Sequence, residues 1–437
     1  MYFIVESLSQ FGNLNIKDEC FVQLIAGNDR VHPKLTYPSL LYYHNGEKGY
    51  IFPFKHSESF YLDFKMVQEF LKLHKKVYLL DKKFHSYFLD LPNAIDLHFV
   101  NLDQTNEFNQ FDCDTNLHHD FYSRYGHLPI TNELIPISKH YERCQCLYDY
   151  VKGYFDLETD IKTQEDFINA YKSVEENPIK VDVNCLADKY QIHDQSYSIK
   201  EDKMYSCYNL YNLTGRPTNS FNGINFLAIP KENDFRSCFL PSNDFLVEFD
   251  FDAYHLRLIA KLINFECPQE SFHEYLGKSY FNKEELTEEE LTEEEYKESK
   301  TITFKQLYGG VDKKYKHIDF FAQMGSYIDE MWKQYNKQGY KLPTGRIIKK
   351  DDSMTKYKLF NYVVQNMETR ENIYKIDEVQ SYLKKTKAKT KLILITYDSF
   401  LFDFSKKDGK KTLQEIKTIL ETGQMKVKHK HGTSYAF

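Results

Sequence analysis

Apolar and polar positions change period several times along the chain, and the changes mark its elements. The early runs YFIVE, SLLYYHN and GYIFPF are rich in β-branched and aromatic residues and predict strands, with the turn cluster HNGEKG between the last two. MVQEFLKLHKK then carries apolar residues at helical spacing, followed by strand-like VYLLD and helix-like FHSYFLDL. This β-β-β-α-β-α order predicts a compact α/β or α+β domain over residues 1–142. Residues 143–208 read as a small helical module (CLYDYVKGYF, QEDFINAYKSVEEN, NCLADKYQ), punctuated by Pro178 and the polar stretch His193–Asp202.

In FLVEFDFDAYHLRLIAKLINF the period switches from strand to helix, which leaves Asp250 at a strand end before a sharp turn. The repeat KEELTEEELTEEEYKESK, with nine Glu between Glu284 and Glu298, reads as a solvated helical face. The helical KTITFKQLYG follows directly. A long helix is predicted over FNYVVQNMETRENIYKIDEVQSYLKK, then two strands in LILITYDSFLFDF around a tight turn at Tyr397–Ser399, the helix TLQEIKTILETG and a final strand MKVKHKH. Two strands thus each offer a carboxylate, Asp250 and Asp398, with a helical insertion between them.

Composition narrows the class. The chain has 437 residues, 41% hydrophobic and 28% charged, which fits two or three folded domains and excludes a disordered chain. The 35 Tyr, 34 Phe and 49 Lys against 8 Arg read as the bias of an AT-rich genome. No apolar run approaches the roughly 20 residues of a spanning helix, and the N-terminus lacks the pattern of a signal peptide. The eight Cys have no regular spacing, and Cys144/Cys146 have no second pair to complete a zinc site, so free thiols in a reducing, cytoplasmic compartment are expected. Charge is split: residues 300–437 carry +13 and the first 299 carry −20, out of −7 in total. Such a basic C-terminal part suits a polyanionic partner.

Phosphoryl transfer needs divalent cations to neutralise the attacking and leaving oxygens, and two carboxylates on rigid neighbouring strands can hold them. A lone Asp at a strand end is usually a turn former. The surrounding residues change that reading. Thr214-Gly215-Arg216-Pro217-Thr218-Asn219-Ser220-Phe221 running on to Ile229-Pro230, Asp250-Phe251-Asp252-Ala253-Tyr254-His255-Leu256-Arg257, Lys300-Thr301-Ile302-Thr303-Phe304-Lys305-Gln306-Leu307-Tyr308-Gly309 and Tyr397-Asp398-Ser399 occur in that order. Together they resemble the Thr-Gly-Arg segment and motifs A, B and C of the family A (polymerase I-like) DNA polymerases, phage-type. The four stretches span about 190 residues; each alone is weak.

The resemblance implies a right-hand architecture of palm, fingers and thumb behind an RNase H-like exonuclease-type domain, an α/β and α+β multidomain chain. Residues 143–208 would be a short thumb and 209–437 palm and fingers, with fingers at about 265–345. It implies a template-directed DNA polymerase that adds dNTPs to a primer 3′-hydroxyl. Asp250 and Asp398 would bind two Mg²⁺ (or Mn²⁺), with the Phe251 carbonyl a further ligand. Lys300 and His273 would hold the triphosphate. Phe304 would stack under the nucleotide, and Tyr308 would sit beside the template base. Arg216 and Gln365 would contact primer–template DNA, and the basic tracts Lys384–Lys391 and Lys426–His431 would face the duplex backbone. For Phe304 and Tyr308 taken alone, i, i+4 aromatics more often mean a buried core face.

Departures from the pattern carry their own expectations. His255 replaces the Glu that helps exclude a 2′-hydroxyl, so sugar discrimination is in question. Ser399 stands where the motif has Glu, and Tyr397 where it has His, both near the primer end. Tyr296 takes the place of the motif B Arg, with Lys297 beside it as a substitute phosphate contact. Asp252, where the family has Ser, is read as solvent-exposed, with a third metal-facing carboxylate as the alternative.

The N-terminal region is similar, more faintly, to a 3′–5′ exonuclease domain that has lost its acids. Its D-x-E would fall on Ile4-Val5-Glu6, its N-x-x-(Y/F)-D on Asp81–His85, and a third motif on Tyr141 or Glu142. This reading implies no proofreading. A short thumb implies a helper: a processivity factor, helicase or single-strand-binding protein. Two rival readings are a nucleotidyltransferase with relaxed sugar selectivity and a non-catalytic DNA-binding replication scaffold.

Overall fold

The structure, a computed structural model, describes residues 3–107, 111, 113, 131–190, 199–219, 224–229, 234–281, 283 and 291–437. Ser220, Phe221 and Pro230 of the Thr-Gly-Arg segment, most of His193–Asp202, and residues 284–290 of the Glu-rich repeat lie outside the described residues. The chain forms two compact units, Met1–Lys172 with Gln191–Cys207 and Ser220–Ile224, and Ser173–Tyr190 with Tyr208–Asn219 and Asn225–Phe437.

The first unit is built on strands β1 (Phe3–Ile4), β2 (Glu19–Ala26), β3 (Pro38–His44), β4 (Gly49–Pro53), β5 (Lys76–Leu79) and β6 (Ala94–Asp96), in sheet order β1-β4-β3-β2-β5-β6. β2, β3 and β4 form an antiparallel meander, and β5 and β6 add in parallel. The HNGEKG cluster makes the predicted turn: Asn45 Oδ1 accepts from the Glu47 and Lys48 amides and Gly46 takes φ 88°. Helix α1 (Phe64–Leu71), N-capped by Asp63, leads into β5. Cores form on both faces of the sheet. Val22, Leu24, Leu41 and Phe52 meet α1, while Phe21, Leu40, Tyr42 and Ile51 meet helix α2 (Ile137–Val151) through Cys144, Leu147 and Val151. The stretch 143–208 is thus shared: its first helical residues complete this core, and residues 173–190 belong to the second unit.

β2 and the cysteine pairs depart from the sequence reading. β2 is a strand the sequence reading passed over, because ECFVQLIA hides its alternation behind two-sided burial. The Ile4-Val5-Glu6 segment lies at the sheet edge, beside Tyr50 and Ile51, and not on the meander's first strand. It is β2 that meets His85, whose Nε2 accepts from the Leu24 amide at 2.9 Å. The expectation of free thiols also fails for four cysteines: Cys113–Cys146 and Cys185–Cys238 are disulfides, while Cys20, Cys144, Cys207 and Cys267 are free.

The second unit centres on an antiparallel sheet of β7 (Phe245–Phe251), β8 (Lys391–Thr396), β9 (Ser399–Phe404) and β10 (Val427–Gly432), in order β8-β9-β7-β10. The helices inserted between β7 and β8 are α3 (Tyr254–Leu262), α4 (Phe272–Tyr280), α5 (Glu293–Gly309), α6 (Asp319–Gln338) and α7 (Lys356–Thr386). Helix α8 (Gly409–Leu420) separates β9 from β10. α5 starts with a capping box in which Thr292 and Glu295 satisfy each other's backbone amides. α7 packs on α3, α5, α6 and α8. Its buried apolar positions include Leu359, Val363, Val364, Met367, Ile376 and Val379. Among the described residues no helix is long and apolar enough to cross a membrane.

Candidate active site

β7 is the middle strand of three at the functional end of the sheet, so its last residues are held from both sides. Asp250 lies opposite Ser399 of β9 and opposite Lys428 of β10. The Phe251 amide donates to the Asp398 carbonyl at 2.8 Å, and the Asp252 amide to the Lys426 carbonyl at 2.8 Å. Neighbouring strand positions are about 5 Å apart, so the backbones of Asp250 and Asp398 meet although 148 positions separate them in the chain. The two turns are sharp. Ala253 (φ 52°) and Tyr397 (φ 60°) both adopt left-handed backbone, a conformation that costs about 1 kcal/mol per residue without glycine and concentrates at functional sites.

These turns open on a cavity of about 630 Å³. Asp250, Phe251, Asp252 and His255 line it from the β7–α3 turn, Tyr397 and Asp398 from the β8–β9 turn, and Lys428 from β10. Lys300, Phe304 and Tyr308 project into it from α5, where i, i+4, i+8 spacing puts them on one face. The core-packing reading of Phe304 fails: its side chain is 48% exposed, and its ring lies parallel to that of Tyr308. His273 comes from the start of α4, and its Nδ1 is buried without a partner. Burial and the nearby Lys300 charge lower its pKa to about 4, so it offers a neutral hydrogen-bonding ring.

Arg216 reaches the cavity from the Thr-Gly-Arg segment. It donates twice to Glu368 of α7, at 2.9 and 3.0 Å, and its guanidinium lies 3.5 Å from the centre of the Tyr397 ring. Glu368 is 1% exposed. His255 Nε2 donates to the same carboxylate, and His255 Nδ1 shares a hydrogen bond with the Tyr308 hydroxyl. Burial, with Glu368 nearby, pushes the Tyr308 hydroxyl up to about 12. One buried carboxylate therefore ties together a residue from each of three motifs. Sequence reasoning passed over Glu368; an acid on the apolar stripe of α7, three positions after Gln365, was the available signal.

Asp252 is not solvent-exposed as expected. Its carboxylate bonds to Lys428 at 2.9 Å and lies 3.5 Å from Arg257, a guanidinium that is itself 1% exposed. Burial raises the Asp252 pKa, but the hydrogen bond and charge of Lys428, with Arg257, outweigh it and hold the carboxyl below its usual range. Two expected site residues lie away from the cavity wall. Lys297 is exposed on α5, and Gln365 Nε2 donates to Asn361 on α7.

Comparison with solved structures shows a likeness of fold. The POL domain of Pol1 from M. smegmatis, in complex with DNA primer-template and dNTP, matches with a TM-score of 0.70 at 13% identity over 96% of each chain. The chain therefore has the multidomain fold of a polymerase domain. No family model and no curated protein sequence matches it.

Proposed function

We propose that the chain is a template-directed DNA polymerase, adding dNTPs to the 3′-hydroxyl of a primer paired to template DNA. The observation that carries this is the meeting of Asp250 and Asp398 at one end of the sheet, facing the Lys300–Phe304–Tyr308 side of α5 across one cavity. The likeness to a polymerase solved with primer-template and dNTP supports the same reading.

The donor set fits hard divalent cations such as Mg²⁺: two carboxylates and the Phe251 carbonyl, all oxygen, at a site where phosphate oxygens and water complete the shell. Bound there, the two ions would supply charge neutralisation for the attacking hydroxyl and the departing pyrophosphate. The chain's own residues do the positioning. The Lys300 ammonium and the neutral His273 ring hold phosphate oxygens. Phe304 offers a stacking face, and Tyr308 and His255 close the side of the cavity where the sugar lies. Arg216, clamped by Glu368 and stacked on Tyr397, presents a fixed guanidinium edge to the primer–template junction. Lys297 and Gln365 would act on DNA or phosphate only from beyond the cavity wall.

The finer reading is a phage- or virus-borne family A enzyme in the host cytoplasm, where Cys113–Cys146 and Cys185–Cys238 would need shelter from thiol reductants. It would work without proofreading, on the reading that His85 stands where the exonuclease motif has its final Asp; the ring accepts from the Leu24 amide of β2. A processivity factor, helicase or single-strand-binding protein would extend its tracts. The test is primer extension with Mg²⁺. Wild type should lengthen the primer against its template and Asp398→Ala should not; no extension by wild type would refute the proposal. A second reading, relaxed sugar selectivity, is favoured by His255 on Tyr308, and is decided by competing rNTP against dNTP.

A further inference from the structure

Lys428 has no place in the motifs, yet it lies directly opposite Asp250 and lines the cavity. Its ammonium bonds to Asp252 Oδ1 at 2.9 Å, and its side chain is 71% exposed. Asp252's other oxygen faces Arg257. That guanidinium is 1% exposed and anchored by bonds to the Asp252 carbonyl (2.9 Å) and the Gln424 carbonyl (3.0 Å). The two cations on Asp252 are therefore unequal. Arg257 is locked in the protein, and Lys428 is free to swing on its four-carbon stem. The same cavity holds Lys300 and the partnerless Nδ1 of His273.

We infer that Lys428 is a third phosphate-binding group, held on Asp252 before a nucleotide enters and transferred to the polyphosphate of an incoming nucleotide. An ammonium is a compact charge with three donors and exchanges one oxyanion for another at little cost. Arg257 keeps Asp252 neutralised after Lys428 leaves, so no buried charge is stranded by the transfer. A triphosphate entering the cavity then meets donors from three directions: His273 on α4, Lys300 on α5 and Lys428 on β10. A monophosphate lacks the outer phosphates that reach the added cation. The inference rests on the polymerase reading for the identity of its ligand.

The experiment is titration of the full chain with dTTP and with dTMP in Mg²⁺, for wild type, Lys428→Gln, Asp252→Asn and the double variant. Lys428→Gln is expected to weaken dTTP binding about tenfold, the size of one charge-assisted hydrogen bond, and to leave dTMP unchanged. Asp252→Asn, which releases Lys428 from its parking place, is expected to tighten dTTP binding; the double variant should match Lys428→Gln. Lys428→Arg should retain the preference for dTTP. Equal losses for dTTP and dTMP in Lys428→Gln, or no loss, would overturn the inference. So would Asp252→Asn weakening dTTP as Lys428→Gln does, because the pair would then be a structural strut. Primer extension by the wild type is run beside these titrations. Failure there overturns the polymerase reading, whereas extension with an unchanged Lys428→Gln overturns only this inference.

Discussion

Replacing Glu368 by Ala should damage the protein about as much as replacing both Glu368 and the arginine it holds. Glu368 is 1% exposed and satisfies two donors of Arg216 and one of His255. The Arg216 side chain is 23% exposed, so its guanidinium is mostly removed from water. Removing one partner of such a buried pair costs about 3–5 kcal/mol, because the remaining charge stays desolvated and unpaired. Arg216 keeps one compensation, its stack on Tyr397, worth roughly 1–2 kcal/mol in a desolvated setting. The net expectation for Glu368→Ala is therefore about 2–3 kcal/mol of stability. Arg216→Ala should cost about 2 kcal/mol, since Glu368 keeps its His255 bond. In the double variant no charge is stranded, so its loss should be about that of the worse single variant, giving a coupling of roughly 2 kcal/mol. Denaturant unfolding of the four proteins measures this. Strict additivity within about 0.5 kcal/mol would refute the idea that Glu368 and Arg216 act as one buried unit.

The remaining expectations concern chemistry, sugar choice, acid and salt. Asp250→Asn should lose primer extension while keeping primer–template binding; a variant that still extends would remove Asp250 from the catalytic set. His255→Ala should alter the ratio of rNTP to dNTP incorporation by more than about fivefold (roughly 1 kcal/mol), and an unchanged ratio would show that the His255–Tyr308 contact does not read the sugar. In the first unit burial lowers the pKa of His32 to about 3 and of His44, His98 and His140 to about 4. The unfolded chain, with histidines near 6.5, then binds more protons below that pH than the folded unit does. Stability should be full above about pH 6.5 and fall as pH drops towards 4, by order of a few kcal/mol for each fully buried ring. A flat unfolding midpoint across pH 6.5–4 would contradict this. Lys384, Lys385, Lys406 and Lys407 are exposed, on two segments joined by Asp408 bonding to the Lys389 and Thr390 amides. Their joint replacement by Glu should weaken DNA binding and flatten its dependence on salt, and an unchanged salt slope would detach this patch from the duplex.

The elements nearest the chemistry were the most legible in the sequence. β7 breaks into α3 at a visible change of period, and β8 turns into β9 at Tyr397–Asp398, because a two-residue turn leaves little freedom between two apolar runs. β2 was missed for the opposite reason: burial on both faces erases the alternation that reveals a strand. The cysteine pairs were missed because proximity in space leaves no trace in spacing; Cys113 and Cys146 are 33 positions apart. Lys428 was seen only as one charge in a basic tract, since nothing local says that β10 pairs with the strand carrying Asp250.

Glu368 shows why the site was harder to read than the fold. Read against the motif, His255 is a loss, a carboxylate replaced by an imidazole. In the folded chain a carboxylate is present after all, supplied by α7 and connected to the Tyr308 hydroxyl through the His255 ring. Motif comparison scores positions, whereas the cavity depends on which groups converge, and a long helix can deliver an acid from 113 residues away. An exchange of this kind removes one motif match and adds none, because the compensating residue lies where no motif looks for it. A cavity can therefore keep its polar wiring while the sequence departs from the motif, alongside a fold matched over 96% of the chain at 13% identity. On this argument His255→Glu in the intact chain should be costly, because it sets two carboxylates together on one buried oxygen-rich wall, and Glu368→Gln should relieve it. If His255→Glu alone were as stable as wild type, the two acids would not share the same space and the exchange would not be a compensation.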